Sequence, residues 1–123
     1  MANSPSEHVK VTTDGGVITA RICKPHVEEH EASIILDGLR TAMQQTGSDL
    51  QAVVIDFSAV AFINSSGLAA VIEVRNSAAE YGASTILYRT SDDVGNLFRI
   101  VKIDRLYAFA QNAQELEKLV SQT

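Results

Sequence analysis

The sequence predicts an α/β fold. It would have a mixed sheet of about five strands, an N-terminal hairpin then parallel β-α-β units, and about four helices. Three observations carry the prediction. "HVKVTTDGGVITARI" alternates apolar and polar residues on both sides of Asp14-Gly15-Gly16, a turn sequence that tolerates positive φ. Ala52 to Ile55 is apolar without alternation, as a central parallel strand covered on both faces must be. After the hairpin, each segment of strand length is followed by one of helical periodicity.

The elements follow in order. Val9 and Val11 mark the first strand, and Ile18, Ala20 and Ile22 the second. Pro25 cannot donate to a sheet ladder, so that strand should stop near Cys23 or Lys24. From about Glu28 to Gln45, Ile34, Ile35, Leu36, Leu39, Ala42 and Met43 recur at helical spacing. Glu28, Glu29 and Glu31 complement the positive end of that helix, and Gly47 fits its stop. "AVVIDFSAV" reads as the central strand. "SSGLAAVIEVRNSAAEYG" reads as a helix with Leu68, Val71, Ile72 and Ala79 on one side and Gly82 at its end. "ASTILYRT" is a further strand. "SDDVGNLFRIVKI" is a helix capped by Ser91, with Asp92 and Asp93 in its first turn. "DRLYAFA" is a last strand, and "NAQELEKLV" a closing helix capped by Asn112.

The chain has 123 residues, enough for one ordinary domain. Residues 1–7 are small and polar and are expected to be flexible, leaving residues 8–123 as a single domain. The net charge of −5, with no Lys/Arg cluster, argues against a nucleic-acid partner, and the absence of Trp argues against base stacking. The single cysteine, Cys23, excludes an internal disulfide and a cysteine-rich metal site. No apolar run approaches the roughly 20 residues of a membrane helix, and "MANSPSEHVK" has no signal-peptide pattern. The expected place is the cytoplasm and the expected state a monomer or weak dimer, without cofactor or metal.

The sequence is densest in information at "VAFINSSGLAAVIEV". Asn64-Ser65-Ser66-Gly67 lies where the central strand hands over to a helix. Strand carboxyl ends are where open α/β sheets place their sites. Asn64, Ser65 or Ser66 could each cap the helix, and Gly67 permits close backbone approach. A capping box would need Glu or Gln three residues beyond the capping serine, but those positions hold Leu68 and Ala69. The first acid on this helix is Glu73. The helix start is therefore not neutralised from within, and a phosphate on Ser65 would be favourably placed.

"VVIDFSAVAFINSSGLAAVIEV" resembles the signature of the STAS domain, named for sulphate transporters and anti-sigma factor antagonists. The matching features are Asp56-Phe57-Ser58 ending a buried strand, the apolar pair Phe62-Ile63, and Asn64-Ser65-Ser66-Gly67-Leu68 opening a helix. The resemblance runs from about His8 to Val120. It implies an anti-sigma factor antagonist that binds an anti-sigma factor serine kinase, is released when the first serine of the pair is phosphorylated, and is reset by a serine phosphatase. Carried here, the phosphoacceptor is Ser65, with Asn64, Ser66, Gly67, Leu68, Asp56 and Glu73 supporting it or lining the docking face. The antagonist is then a substrate and not an enzyme. Two positions depart from the pattern: Asn64 replaces the family's acid, and "ICKPHVEEHE" replaces a Gly-x-(apolar)-Asp segment.

Small STAS domains also resemble accessory subunits that dock on the ATPase of ABC-type transporters, and scaffolds of stress-sensing complexes. A serine hydrolase would need Gly where Ile63 stands, and a histidine after the serine, whereas His8, His26 and His30 all precede it. His26 and His30, four apart among glutamates, do not form a His-Glu-x-x-His helix and read as solvated residues.

Overall fold

The computed structural model describes residues 7–123; the N-terminal stretch expected to be flexible lies, but for Glu7, outside them. The chain opens with an antiparallel hairpin, β1 (Val9–Asp14) and β2 (Val17–Ile22). Gly15 and Gly16, at φ 58° and 85°, supply the two left-handed positions that a two-residue hairpin turn demands. The remaining elements are β3 (His26–Val27), α1 (Glu29–Thr46), β4 (Ala52–Asp56), β5 (Phe62–Ile63), α2 (Ser65–Glu80), β6 (Ser84–Tyr88), α3 (Asp92–Ile100), β7 (Ala108–Ala110) and α4 (Ala113–Ser121).

Five strands form one mixed sheet in the order β1-β2-β4-β6-β7, antiparallel only between β1 and β2. Each β-α-β step adds a strand on the same side of the last, so the order never reverses. A second, two-stranded parallel sheet pairs β3 with β5. The sequence carries no sign of it, because two residues have no periodicity.

One sheet face carries Val9, Val11, Ile18, Ala20, Ile22, Val53, Ile55 and Leu87, and these pack in one cluster with Ile35 and Leu39 of α1, Val71 and Val74 of α2, and Val94 and Phe98 of α3. The opposite face carries Ala52, Val54, Ile86 and Tyr88, and these meet Leu116, Leu119 and Val120 of α4. The apolar run of β4 is explained by this double cover. Three details differ from the sequence reading. The central strand stops at Asp56, whose carboxylate Oδ1 accepts from the Ser58 N–H at 2.9 Å and turns the chain. The buried side of α2 is Gly67, Ala70, Val71, Val74 and Ala78; Val71 is buried as read, but Ala79 is exposed and Ile72 half-buried, because the first turn is seated through Gly67 and Ala70. Asp104–Leu106 forms a short 3-10 turn, and the last strand begins only at Ala108.

Tyr107 precedes that strand. Its ring lies edge-on to Phe98 at 5.5 Å, and its hydroxyl has no hydrogen-bond partner among the described residues. Burial pushes its ionisation well above the ordinary tyrosine range. The folded state therefore holds this proton more tightly than the unfolded chain, and the stability tied to it is complete below about pH 10 and lost as pH rises further. Tyr107→Phe removes an unsatisfied buried hydroxyl. Urea unfolding of this variant should show unchanged or slightly higher stability at pH 7, and a shallower loss than the parent above about pH 10.

Candidate functional site

The segments that precede α1 and α2 are strapped together. His26 and Val27 pair in parallel with Phe62 and Ile63. The Pro25 carbonyl accepts from the N–H groups of Ala61 and Phe62, at 2.8 and 3.0 Å, and the Val27 carbonyl accepts from Asn64 at 3.2 Å. Pro25 thus serves the fold through its one hydrogen-bonding backbone group. The two helices consequently start side by side at one end of the sheet.

Asn64 is the N-cap of α2. Its backbone is extended, at φ −98° and ψ −173°, and its side-chain oxygen accepts from the Gly67 N–H at 3.0 Å. Of the three residues able to cap, the structure uses the amide. The serines are freed from that task. Ser65, the first helical residue, is exposed, and its hydroxyl makes no hydrogen bond within the described residues. Ser66 is half-buried and Leu68 packs partly against the core.

Gly67 is held by space. A Cβ there would lie 2.5 Å from Ile63 Cγ1 and 2.7 Å from the Val27 carbonyl oxygen. Only glycine lets the first turn of α2 press against the β3–β5 strap.

The electrostatics of the four α-helix starts differ. α1 carries Glu29 and Glu31 in its first turn and forms a capping box with Glu28; α3 carries Asp92 and Asp93; α4 carries Glu115. Hydrogen bonds from backbone N–H groups hold the Glu31 carboxyl below its usual range. α2 has no acid in its first turn. Within its own chain segment its positive end is met by the neutral Asn64 amide, beside an exposed hydroxyl, and Glu29 of α1 stands at the rim of the groove next to it.

Around this point the surface is apolar and small. A groove of about 300 Å³ runs between α1 and α2, lined by Ala32, Leu36, Ser66, Ala69 and Ala70, with Glu29 and Glu73 at its rim. Glu73 is tied to Arg40 at 3.1 Å, an exposed pair that orients the side chains more than it stabilises the fold. On the other side of Ser65, Phe62 is 48% exposed, its ring edge-on to His26 at 5.8 Å. Phe62 also lines a small hollow with Asp93, Val94 and Leu97 of α3. The expected site residues Asn64, Ser65, Ser66, Gly67 and Leu68 therefore lie together. Glu73 is two helical turns away on the groove rim, and Asp56 serves the turn after β4. Phe62 was missed as a surface residue, whereas His26, read as solvated, is indeed exposed. The alternation of Phe62 outward with Ile63 inward was the available signal. His30 stands in α1 with its ring against His8, at 5.1 Å, and so apart from His26 in its contacts.

The sequence pattern of the STAS domain matches residues 8–116, nearly the whole chain. The chain belongs to the STAS domain family. Solved structures agree on the fold. An anti-sigma-factor antagonist (STAS) domain protein from Planctomyces limnophilus is 20% identical, with a TM-score of 0.80, over 92% of this chain and 97% of that one. The anti-sigma factor antagonist SpoIIAA in its unphosphorylated form is 18% identical, with a TM-score of 0.76, over 92% and 96%. The same Bacillus cell fate determinant in its phosphorylated form is 16% identical, with a TM-score of 0.70, over 90% and 98%. The murine Solute Carrier 26 family member A9 anion transporter is 17% identical, with a TM-score of 0.70, over 91% of this chain but 19% of the transporter. A comparison with curated proteins finds no match. No helix among the described residues is long and apolar enough to cross a membrane.

Two stability outcomes follow from the site's construction. Asn64→Ala removes the cap and should cost about 1 kcal/mol, whereas Asn64→Asp should retain the hydrogen bond and lose little. Gly67→Ala must displace Ile63 or the Val27 backbone and should cost about 1–3 kcal/mol. Equilibrium urea denaturation of the three variants gives both comparisons.

Proposed function

We propose that this chain is an anti-sigma factor antagonist in a phosphorylation-controlled partner switch, cytoplasmic, with residues 8–123 acting as one unit. Its unphosphorylated form binds an anti-sigma factor that is also a serine kinase. Phosphate on Ser65 releases it, and a serine phosphatase resets it. The chain is the substrate of this chemistry and not its catalyst.

The observation that carries the reading is the state of Ser65. It is exposed, its hydroxyl is not engaged, and it opens the one α-helix among the described residues whose first turn holds no acid. A phosphate here brings close to two negative charges to a positive helix end, so its own domain tolerates it. On the partner's side the same group is a charged wedge in a docking face of Phe62, Ser66 and Ala69. An apolar or acidic partner surface pressed there would lose contact and gain repulsion. The existence of a solved relative in both an unphosphorylated and a phosphorylated form supports the reading.

Asn64 gives this switch a particular character. With no carboxylate preceding Ser65, the phosphate would be the only strong negative charge contributed by the first turn of α2 itself. A second reading, docking on a transporter, draws on the similarity to the anion transporter's domain. It requires no phosphate on Ser65.

The test uses the candidate serine kinase encoded by the host. Incubation with ATP followed by mass spectrometry should place one phosphate on Ser65. Ser65→Asp should weaken binding to that kinase by about 10–100-fold, while Ser65→Ala stays within about threefold of the parent. Equal affinity for the two variants, or phosphate found only elsewhere, would remove the switch; stable binding to a transporter ATPase instead would favour the second reading.

A further inference from the structure

β1 is the first strand of the sheet, and among the described residues β2 is its only strand neighbour. The outer edge of β1 is therefore a row of backbone groups that no strand among the described residues pairs. Which residues own those groups follows from one bond. The Cys23 N–H donates to the His8 carbonyl at 2.8 Å, and the register continues as Lys10 opposite Arg21, Thr12 opposite Thr19 and Asp14 opposite Val17. In an antiparallel ladder, alternate residues direct both backbone groups to the same side. His8, Lys10, Thr12 and Asp14 direct theirs to β2, so Val9, Val11 and Thr13 direct theirs outward.

The side chains of the strand alternate in the same way. Val9 and Val11 are buried beneath α1, with Gly38 lying over both. Lys10, Thr12 and Asp14 are exposed on the opposite sheet face, and neither Lys10 nor Asp14 forms an ion pair among the described residues. The order Lys10-Val11-Thr12-Thr13-Asp14 is thus a cation, a threonine and an anion at alternate positions, centred on Thr12.

We infer that β1 is a self-complementary docking edge, and that its occupant is β1 of a second copy of this chain, antiparallel about a two-fold axis at Thr12. In that register Val11 faces Thr13 of the other copy, and these are residues whose backbone groups point outward, so both main-chain bonds can form. Thr12 faces Thr12. Lys10 faces Asp14 twice, once on each side of the axis, at a non-hydrogen-bonded position where side chains come closest. Moving the register by two residues keeps the backbone bonds but sets Lys10 or Asp14 against Thr12. The charges therefore select one alignment. A lysine on an exposed edge strand ordinarily deters pairing; here Asp14 supplies its counter-charge in the one symmetric register. The product is a continuous ten-strand sheet with a closed, isologous interface.

The covering layer accommodates this. α1 packs on both β1 and β2 through Val9, Val11, Ile18 and Leu39. A helix lying between two strands about 4.8 Å apart would sit about 10 Å from its symmetry mate, a distance at which helices pack without overlap. The site around Ser65 lies at the start of α2, and none of its residues belongs to β1, so the pairing would not depend on phosphorylation.

Sedimentation velocity on the full chain tests the inference. The parent should dimerise with a dissociation constant on the order of 10–100 µM, more weakly in high salt, where the exposed Lys10–Asp14 pairs are screened. Lys10→Asp and Asp14→Lys each place like charges opposite one another twice, and each should weaken the dimer at least about tenfold. The double variant Lys10→Asp/Asp14→Lys exchanges the signs and should return the affinity to within about threefold of the parent. Thr13→Pro provides a check independent of charge. It deletes an outward N–H without touching the bonds to β2, and should weaken the dimer while circular dichroism and melting stay near those of the parent. A chain that stays monomeric at about 500 µM would overturn the inference. So would single charge variants that dimerise like the parent, a double variant that fails to recover, or a Thr13→Pro dimer of unchanged affinity.

Discussion

The contact on which the site depends is the close approach of Gly67 to the Val27 carbonyl and the Ile63 side chain. It follows from a strap of two-residue strands, β3 and β5, that would be negligible as a sheet by itself. Pro25, Val27, Ala61, Phe62 and Asn64 close the strap with three backbone hydrogen bonds. Through it the loop before α1 fixes the angle and height at which α2 begins. The helix end is thereby presented at the surface with its cap formed and its first hydroxyl outward. The buried face of α2, made of Gly67, Ala70, Val71, Val74 and Ala78, is small enough to seat the helix close to the sheet without tilting this end away.

The electrostatic consequence is specific to one helix. The chain is acidic overall, with 15 Asp and Glu against 10 Lys and Arg. It places acids in the first turn of α1, α3 and α4, where they complement the helix dipole. At α2 the amide of Asn64 satisfies the Gly67 N–H and adds no charge. The helix is thus capped for stability while its dipole is left for an added anion. On the proposed reading, this separation of capping from charge is what suits a common hinge to a reversible phosphate. It also divides the labour within Asn64-Ser65-Ser66-Gly67: the amide caps, the glycine permits approach, Ser66 lines the groove, and Ser65 is exposed.

Much of this was legible in the sequence, for physical reasons. The hairpin announced itself through Asp14-Gly15-Gly16, and β4 through an apolar run that needed cover on two sides. The caps Ser91 and Asn112 were read from residue type and position, and both accept from an N–H of the first turn. The strap was invisible because two residues carry no period, and its bonds join segments more than thirty residues apart. On α2, Val71 is buried and Leu68 packs partly against the core as read, but Gly67, Ala70, Val74 and Ala78 complete the buried side in place of Ile72 and Ala79. Which of Asn64, Ser65 and Ser66 caps the helix also lay beyond the sequence, since each side chain could do so and the choice rests on where β5 delivers the chain. Phe62 was read only as half of the apolar pair Phe62-Ile63, and the alternation of a two-residue strand turns it outward.

The central claim is that the α2 terminus receives negative charge on Ser65 without structural cost to its own domain. Its most direct test needs no partner. Protein carrying phosphoserine at position 65, made by genetic incorporation, can be compared with the unmodified protein by amide NMR spectra and thermal melting. The account expects shifts confined to residues near Asn64–Leu68, the β3–β5 strap and the start of α1, with a melting temperature equal to or above that of the unmodified protein. A lowered melting temperature with shifts spread through the sheet would contradict it, because the helix start would then not be a place where the fold tolerates an anion.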